Sequence, residues 1–176
     1  MNEMKTDGVP KNNSRRRLVV TVHGIRTYGR WQEQLGALLE SHDSAFSVHH
    51  FKYGYFSALA FIVPFTRWLM TRRFRKDLIS IAKSSDWDRI DIVAHSFGTH
   101  LVAWALYRMA TRHHIKVHTV ILAGSVLKPG FPWRELMGSK ECVLRIVNDC
   151  GVRDNVLLLN QVFVLGTGMA GRAGFS

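Results

Sequence analysis

Between Arg89 and Ala103 the chain reads RIDIVAHSFGTHLVA, and the residues at the centre of this stretch have the types and spacing to do chemistry. Ile90 to Ala94 is an apolar run suited to a buried strand, His95, Ser96, Phe97 and Gly98 follow, and Val102, Ala105, Leu106 and Met109 then recur on one helical face. A strand that becomes a helix within about three residues holds the side chain at the tip of the turn in a strained backbone conformation. It lifts that side chain clear of the strand's carboxyl end and aims the first amides of the helix at the same spot. Ser96 occupies the tip. A hydroxyl held there is placed as a nucleophile. The plainer role for the same residue is an N-cap, since serine is favoured there without any chemistry.

AHSFG, Ala94 to Gly98, resembles the GxSxG nucleophile elbow of the α/β-hydrolase superfamily, with Ala94 in place of the first glycine. One methyl at Ala94 narrows the clearance around the serine without closing it, and Gly98 keeps the close approach on the helix side. The likeness runs from Leu18 to about Val164, and the elbow is its specific motif. It implies a lipase- or esterase-like serine hydrolase in which Ser96 attacks the carbonyl of a small-molecule or lipid carboxylic ester. His23 and Gly24, after the β-branched run Leu18 to Val22, match the HG pair that ends a core strand in that family. By the resemblance the amides of Ile25 and Phe97 form the oxyanion hole, each donor lowering the barrier by about 3 kcal/mol. The acid that orients the base follows the last strand, where Asp154, in the context Asp154, Asn155, Val156, is favoured over Asp149. The family's order of serine, acid, histidine calls for a base after Asp154, and no histidine follows His118. His95 diverges from its neighbour on the elbow, His100 lies one helical turn on, and His23 is tied to the oxyanion loop. The expectation is therefore a C-terminally truncated hydrolase whose last strand, helix and catalytic histidine lie beyond Ser176. The alternative is a catalytically silent binding or interaction module of the same fold.

The elements that must position these groups follow from pattern. Arg30 to Glu40 carries Trp31, Leu35, Leu38 and Leu39 at helical spacing, which predicts an amphipathic helix over the sheet. Phe46 to Phe51 suits a second strand, although His49 and His50 weaken it. Phe74, Leu78 and Ile81 give a later helix its buried face. Val117 to Leu122 and Val143 to Val147 read as strands, Ala123 to Ser125 as a tight exit, and Phe131 to Met137 as a short helix entered at Pro132 and stopped by Gly138. Five strand patterns separated by helical ones predict an α/β fold: a mostly parallel sheet of about five or more strands with helices on both faces. Its ligand edge is the carboxyl end of the strands. Residues 1–17 read as a flexible basic tail, 18–165 as the hydrolase-like domain and 166–176 as a flexible end. Tyr53 to Met70 is an apolar insertion, interrupted by Pro64 and Arg67 and too short to cross a bilayer. Tyr55, Phe56, Phe61, Phe65 and Trp68 in it are candidates for the roof of an apolar substrate pocket, a buried core helix being the alternative.

Composition bounds the rest. The chain has 176 residues, 47% hydrophobic and 21% charged, the profile of one globular domain. Its net charge of +11 is spread among the tail, Arg67 to Lys76 and later loops, with no zinc-ligand spacing and no recognisable nucleic-acid-reading motif. Nucleic-acid binding gains little support from that distribution; contact with an anionic membrane surface explains the charge about as well, and a solvated surface with no partner explains it best. Cys142 and Cys150 flank a strand and so stand roughly 20 Å apart, beyond disulfide reach. Free thiols and a polar N-terminus without an apolar signal core point to the cytoplasm. No metal cluster, phosphate-cradling loop or dinucleotide fingerprint is present in the sequence, so no cofactor is implied.

Overall fold

The computed structural model describes residues 15–24, 30–52, 63–113 and 115–149. Five strands, β1 (Arg17–Val22), β2 (Phe46–Phe51), β3 (Arg89–His95), β4 (Val117–Ala123) and β5 (Val143–Asp149), form one sheet in the order β2-β1-β3-β4-β5. All four strand pairings are parallel. The helices are α1 (Arg30–His42), α2 (Pro64–Ala82), α3 (Phe97–Met109) and the short α4 (Trp133–Met137). The chain is an α/β protein, as the alternation of patterns predicts.

Strand order and the handedness of crossovers decide which face each helix covers. The chain steps one way from β1 to β2, then reverses and crosses β1 to reach β3, so right-handed connections put α1 on one face and the later helices on the other. Side chains obey this. Leu18, Val20 and Val22 on β1 join Ile92 and Ala94 on β3 and Val120 and Leu122 on β4 in a single core with Phe74 and Leu78 of α2, Leu101, Leu106 and Met109 of α3, and Leu136 of α4. The alternate residue Thr21 faces α1, where its hydroxyl accepts a hydrogen bond from Gln32 Nε2 at 2.7 Å.

Two readings of the helices change. The buried face of α1 is centred on Gln32 and Gly36, and Leu38 is 66% exposed. Gln32 is drawn in by its bond to Thr21, and at Gly36 a Cβ would sit 3.3 Å from the His50 ring, so the bare backbone sets how close α1 comes to β2. The apolar segment before α2 is divided: Pro64 opens α2 at its first turn, where proline is tolerated, and residues 64–70 are continuous with the core helix ending at Ala82. Residues 53–62 of that segment lie outside the described residues. The two histidines that weaken the β2 pattern are absorbed by opposite faces. His49 Nε2 donates to Asp77 Oδ2 of α2 at 2.8 Å, and His50 Nδ1 lies 2.7 Å from Thr21 Oγ1 on the α1 side.

Candidate active site

The reversal of direction between β1 and β3 opens a crevice at the carboxyl edge of the sheet, the place where open α/β sheets bind ligands. β1 ends there in His23 and Gly24, and β3 ends in His95 and Ser96. The register sets Val22, Ala94, Leu122 and Asn148 side by side, and one step further out sets His95, Ala123 and Asp149 in a row.

Ser96 adopts φ 53° and ψ −124°, a left-handed φ that a residue with a Cβ takes only at a cost of about 1–3 kcal/mol. An ordinary N-cap has extended dihedrals and a side chain that accepts a bond from the first turn of the helix. Ser96 has neither: its side chain makes no cap hydrogen bond with α3. The capping role that the sequence alone leaves open therefore does not account for this residue.

What holds the strained turn is backbone contact between small residues. The Ser96 amide donates to Ala123 O at 2.9 Å, which extends the β3–β4 ladder through the elbow. Its carbonyl accepts from the Thr99 amide at 3.0 Å and from Thr99 Oγ1 at 2.6 Å, and Thr99 Oγ1 in turn accepts from the Val126 amide at 3.2 Å. Thr99 is fully buried and so ties the elbow to the loop after β4. A Cβ on Gly98 would lie 2.5 Å from Val22 O and 2.8 Å from His23 O, so α3 rests directly on the end of β1. A Cβ on Gly24 would lie 2.8 Å from Ser96 Cβ and 3.2 Å from its Oγ. Gly24 is therefore the residue across the crevice from the serine. Ala94, by contrast, is fully buried without disturbing the turn.

Around this point Ser96, Phe97, Gly24 and His23 converge. Phe97 is the first residue of α3, so its amide belongs to the positive end of the helix dipole. His23 is buried, and its Nδ1 donates to Gly24 O at 2.6 Å, which in the neutral ring makes Nε2 the basic nitrogen. No described side chain hydrogen-bonds Ser96 Oγ. His95 turns to the α1 face, with its ring 6.3 Å from that of Trp31. His100 is buried in the helix layer against Trp104, and burial, followed by the charges of Arg67 and Arg108, pushes its pKa down to about 3. Asp149 ends β5 and is exposed two strands from His95, about 10 Å at the usual strand spacing.

Of the other predicted site residues, Ile25, Tyr55, Phe56, Phe61 and Asp154 lie outside the described residues. Phe65 and Trp68 stack on each other at 5.8 Å on the first turns of α2, 65% and 40% exposed. The cavities that Trp68 lines do not include Ser96 among their described residues. Cys142 is a free, buried thiol whose pKa burial raises to about 11. Sequence reasoning passed over Thr99, whose signal is a hydroxyl three residues after the helix-opening serine, close enough to reach back to its carbonyl.

No family model matches the chain, and no curated protein matches it. Among solved structures it is similar to one described as a C4-C4 SN3 tributyrin phosphonate inhibited by esterase B from Lactobacillus rhamnosis, at 14% identity and a TM-score of 0.49. The match covers 90% of this chain and 54% of that one, so this chain spans about half the length of that structure. A likeness at that level says nothing of activity. Among the described residues no helix is long and apolar enough to cross a membrane.

Proposed function

We propose that the chain is built as a serine hydrolase in which Ser96 Oγ attacks the carbonyl carbon of a carboxylic ester. The observation that carries this reading is the conformation of Ser96: a left-handed φ at a strand-to-helix turn, on the ligand edge of the sheet, with the side chain taking no part in capping. Strain of this kind persists only where the surroundings enforce it, and here Gly98, Gly24 and Thr99 do so. In the reaction, attack forms the Ser96–acyl bond as a base takes the hydroxyl proton. Collapse of the tetrahedral intermediate expels the alcohol, which receives that proton, and water then releases the acid. The Phe97 amide, with that of Ile25 as the second donor, binds the oxyanion. Asp154 orients the base, with Asp149 as the alternative acid.

The base decides between this reading and a second one. The second reading is a catalytically silent binding module of hydrolase fold, and the exposed apolar and cationic side chains of α2 favour it. Such a module would rest on an anionic membrane surface through Val63, Phe65, Trp68 and Leu69, which are exposed beside Arg72 and Arg75. The test is the intact mass of the protein after exposure to a fluorophosphonate, beside Ser96→Ala. A single adduct that the substitution removes supports the hydrolase. It would also assign the base to a histidine of this chain. A folded protein that takes no adduct, with no ester turnover, supports the binding module.

A further inference from the structure

On the outer side of the α2–α3 layer a second constellation stands apart from Ser96. Arg67 lines a cavity of about 220 Å³ together with Trp68, Thr71, His100, Trp104 and Arg108. Although a guanidinium, Arg67 is only 6% exposed, and its Nη1 is buried without a hydrogen-bond partner. Burial of an unpaired charge is costly, and the ordinary remedy is a carboxylate. None is present among the described residues lining this cavity. The cavity shares Trp68, Thr71 and Arg108 with a groove of about 800 Å³ that adds Arg72, Arg75, Arg112 and Lys140, again with no acidic residue among those that line it. The aromatic rings hold the cations in place: Arg108 lies 5.9 Å from the Trp104 centroid and Arg72 5.6 Å from that of Trp68.

We infer that the α2–α3 cavity is a binding site for a phosphate group, with the guanidiniums of Arg67 and Arg108 on its wall. The chemistry favours phosphate over a carboxylate. Two guanidiniums that no described acid neutralises call for more than one negative charge, and planar forked donors match the oxygens of a phosphate. His100 on the same wall is held neutral by burial and by these two arginines, so it adds a hydrogen-bonding group without adding charge. The cavity has room for several water-sized groups, enough for the oxyanion. The inference does not depend on the reading of Ser96.

The site would serve equally a free phosphate compound or the phosphate of an anionic lipid headgroup, and one experiment separates these sources. Inorganic phosphate is titrated into the full chain at low ionic strength by calorimetry, with Arg67→Met, Arg108→Gln and Arg145→Gln beside it. Arg145 is exposed on β5, outside the cavity, and controls for net charge. Saturable binding that either cavity substitution weakens tenfold or more, and the control leaves within twofold, supports the site. Arg108 is exposed, so its substitution stays informative even if Arg67→Met perturbs folding. The NMR titration of the His100 ring gives an independent readout: phosphate offsets the arginine charges, and the imidazole pKa rises from about 3. Flotation with phosphatidic acid vesicles, against phosphatidylcholine alone, identifies the source. Binding that needs Arg108 and is competed by inorganic phosphate marks a lipid headgroup; calorimetric binding without such flotation marks a free phosphate. No saturable binding in either assay, or equal weakening by Arg145→Gln, overturns the proposal.

Discussion

The crevice between β1 and β3 and the cavity between α2 and α3 belong to one sheet and the helices packed on it, and are built in contrasting ways. At the crevice, position is fixed by backbone: Gly98 lies against the Val22 and His23 carbonyls, Gly24 against Ser96, and a single hydroxyl, Thr99, ties the turn to the next strand. In the cavity, position is fixed by long side chains: Arg67 is buried on α2, and Arg108 lies over the Trp104 ring. A backbone-defined site tolerates almost no added volume and is insensitive to charge. A side-chain-defined site tolerates substitution and carries its function in its charge.

Substitutions sharpen that contrast, and the largest effect is expected at Gly98. Gly98→Ala drives a methyl into two backbone carbonyls, which have no rotamer to escape to, and should cost about 3 kcal/mol in urea unfolding. A loss below 1 kcal/mol would mean that α3 does not rest on the end of β1. Thr99→Val keeps the shape but leaves the Val126 amide without its partner and the Ser96 carbonyl with the Thr99 amide alone, for about 2 kcal/mol, while Thr99→Ser should recover most of it. The comparison fails if both variants lose equally.

Between the two regions stands His100, on α3 and facing the cavity. Its folded pKa of about 3 lies below the ordinary 6.5, so the unfolded chain binds the extra proton across that interval. The contribution of the neutral ring is therefore complete above pH 6.5 and is lost as pH falls towards 3. The slope is at most about 1.4 kcal/mol per pH unit for one proton. His100→Gln should flatten stability against pH in that window, and an unchanged profile would assign the acid sensitivity elsewhere. At the elbow tip, Ser96→Gly relieves the left-handed φ that Ser96→Ala retains, so the glycine variant should be more stable by about 1 kcal/mol even though both remove the hydroxyl. Equal stability would argue against strain. The smallest effect belongs to the cavity: Arg108→Gln, at an exposed helix position, should change unfolding free energy by less than about 0.5 kcal/mol while weakening phosphate binding tenfold or more.

The strands are legible because a buried parallel strand reads as a short apolar run. Leu18 to Val22, Val117 to Leu122 and Val143 to Val147 fall inside β1, β4 and β5, each element extending by one or two residues at an end. The short helix after Pro132 was likewise marked at both ends. Leu38 misled because helical spacing reports a stripe without saying which side of it meets the sheet, and the bond from Gln32 to Thr21 rotates α1 away from it. Arg67 misled differently. In sequence it interrupts an apolar segment and reads as a surface charge, whereas the packing of α2 on α3 buries it.

By itself, the sequence determined the α/β class, the strand-to-helix turn at Ser96 and the glycine after it, since each is a local pattern of apolar period and residue size. Tertiary structure alone decided three things. It set the order β2-β1-β3-β4-β5, which brings Gly24 opposite Ser96 across 72 residues of chain. It distinguished elbow from cap, because a side chain's hydrogen bonding and a single φ leave no trace in composition. It also assembled Arg67, His100 and Arg108 around one cavity from two helices whose sequences share no motif. The reason is the same in all three: periodicity encodes which residues are buried, whereas the identity of their neighbours depends on how separate elements pack.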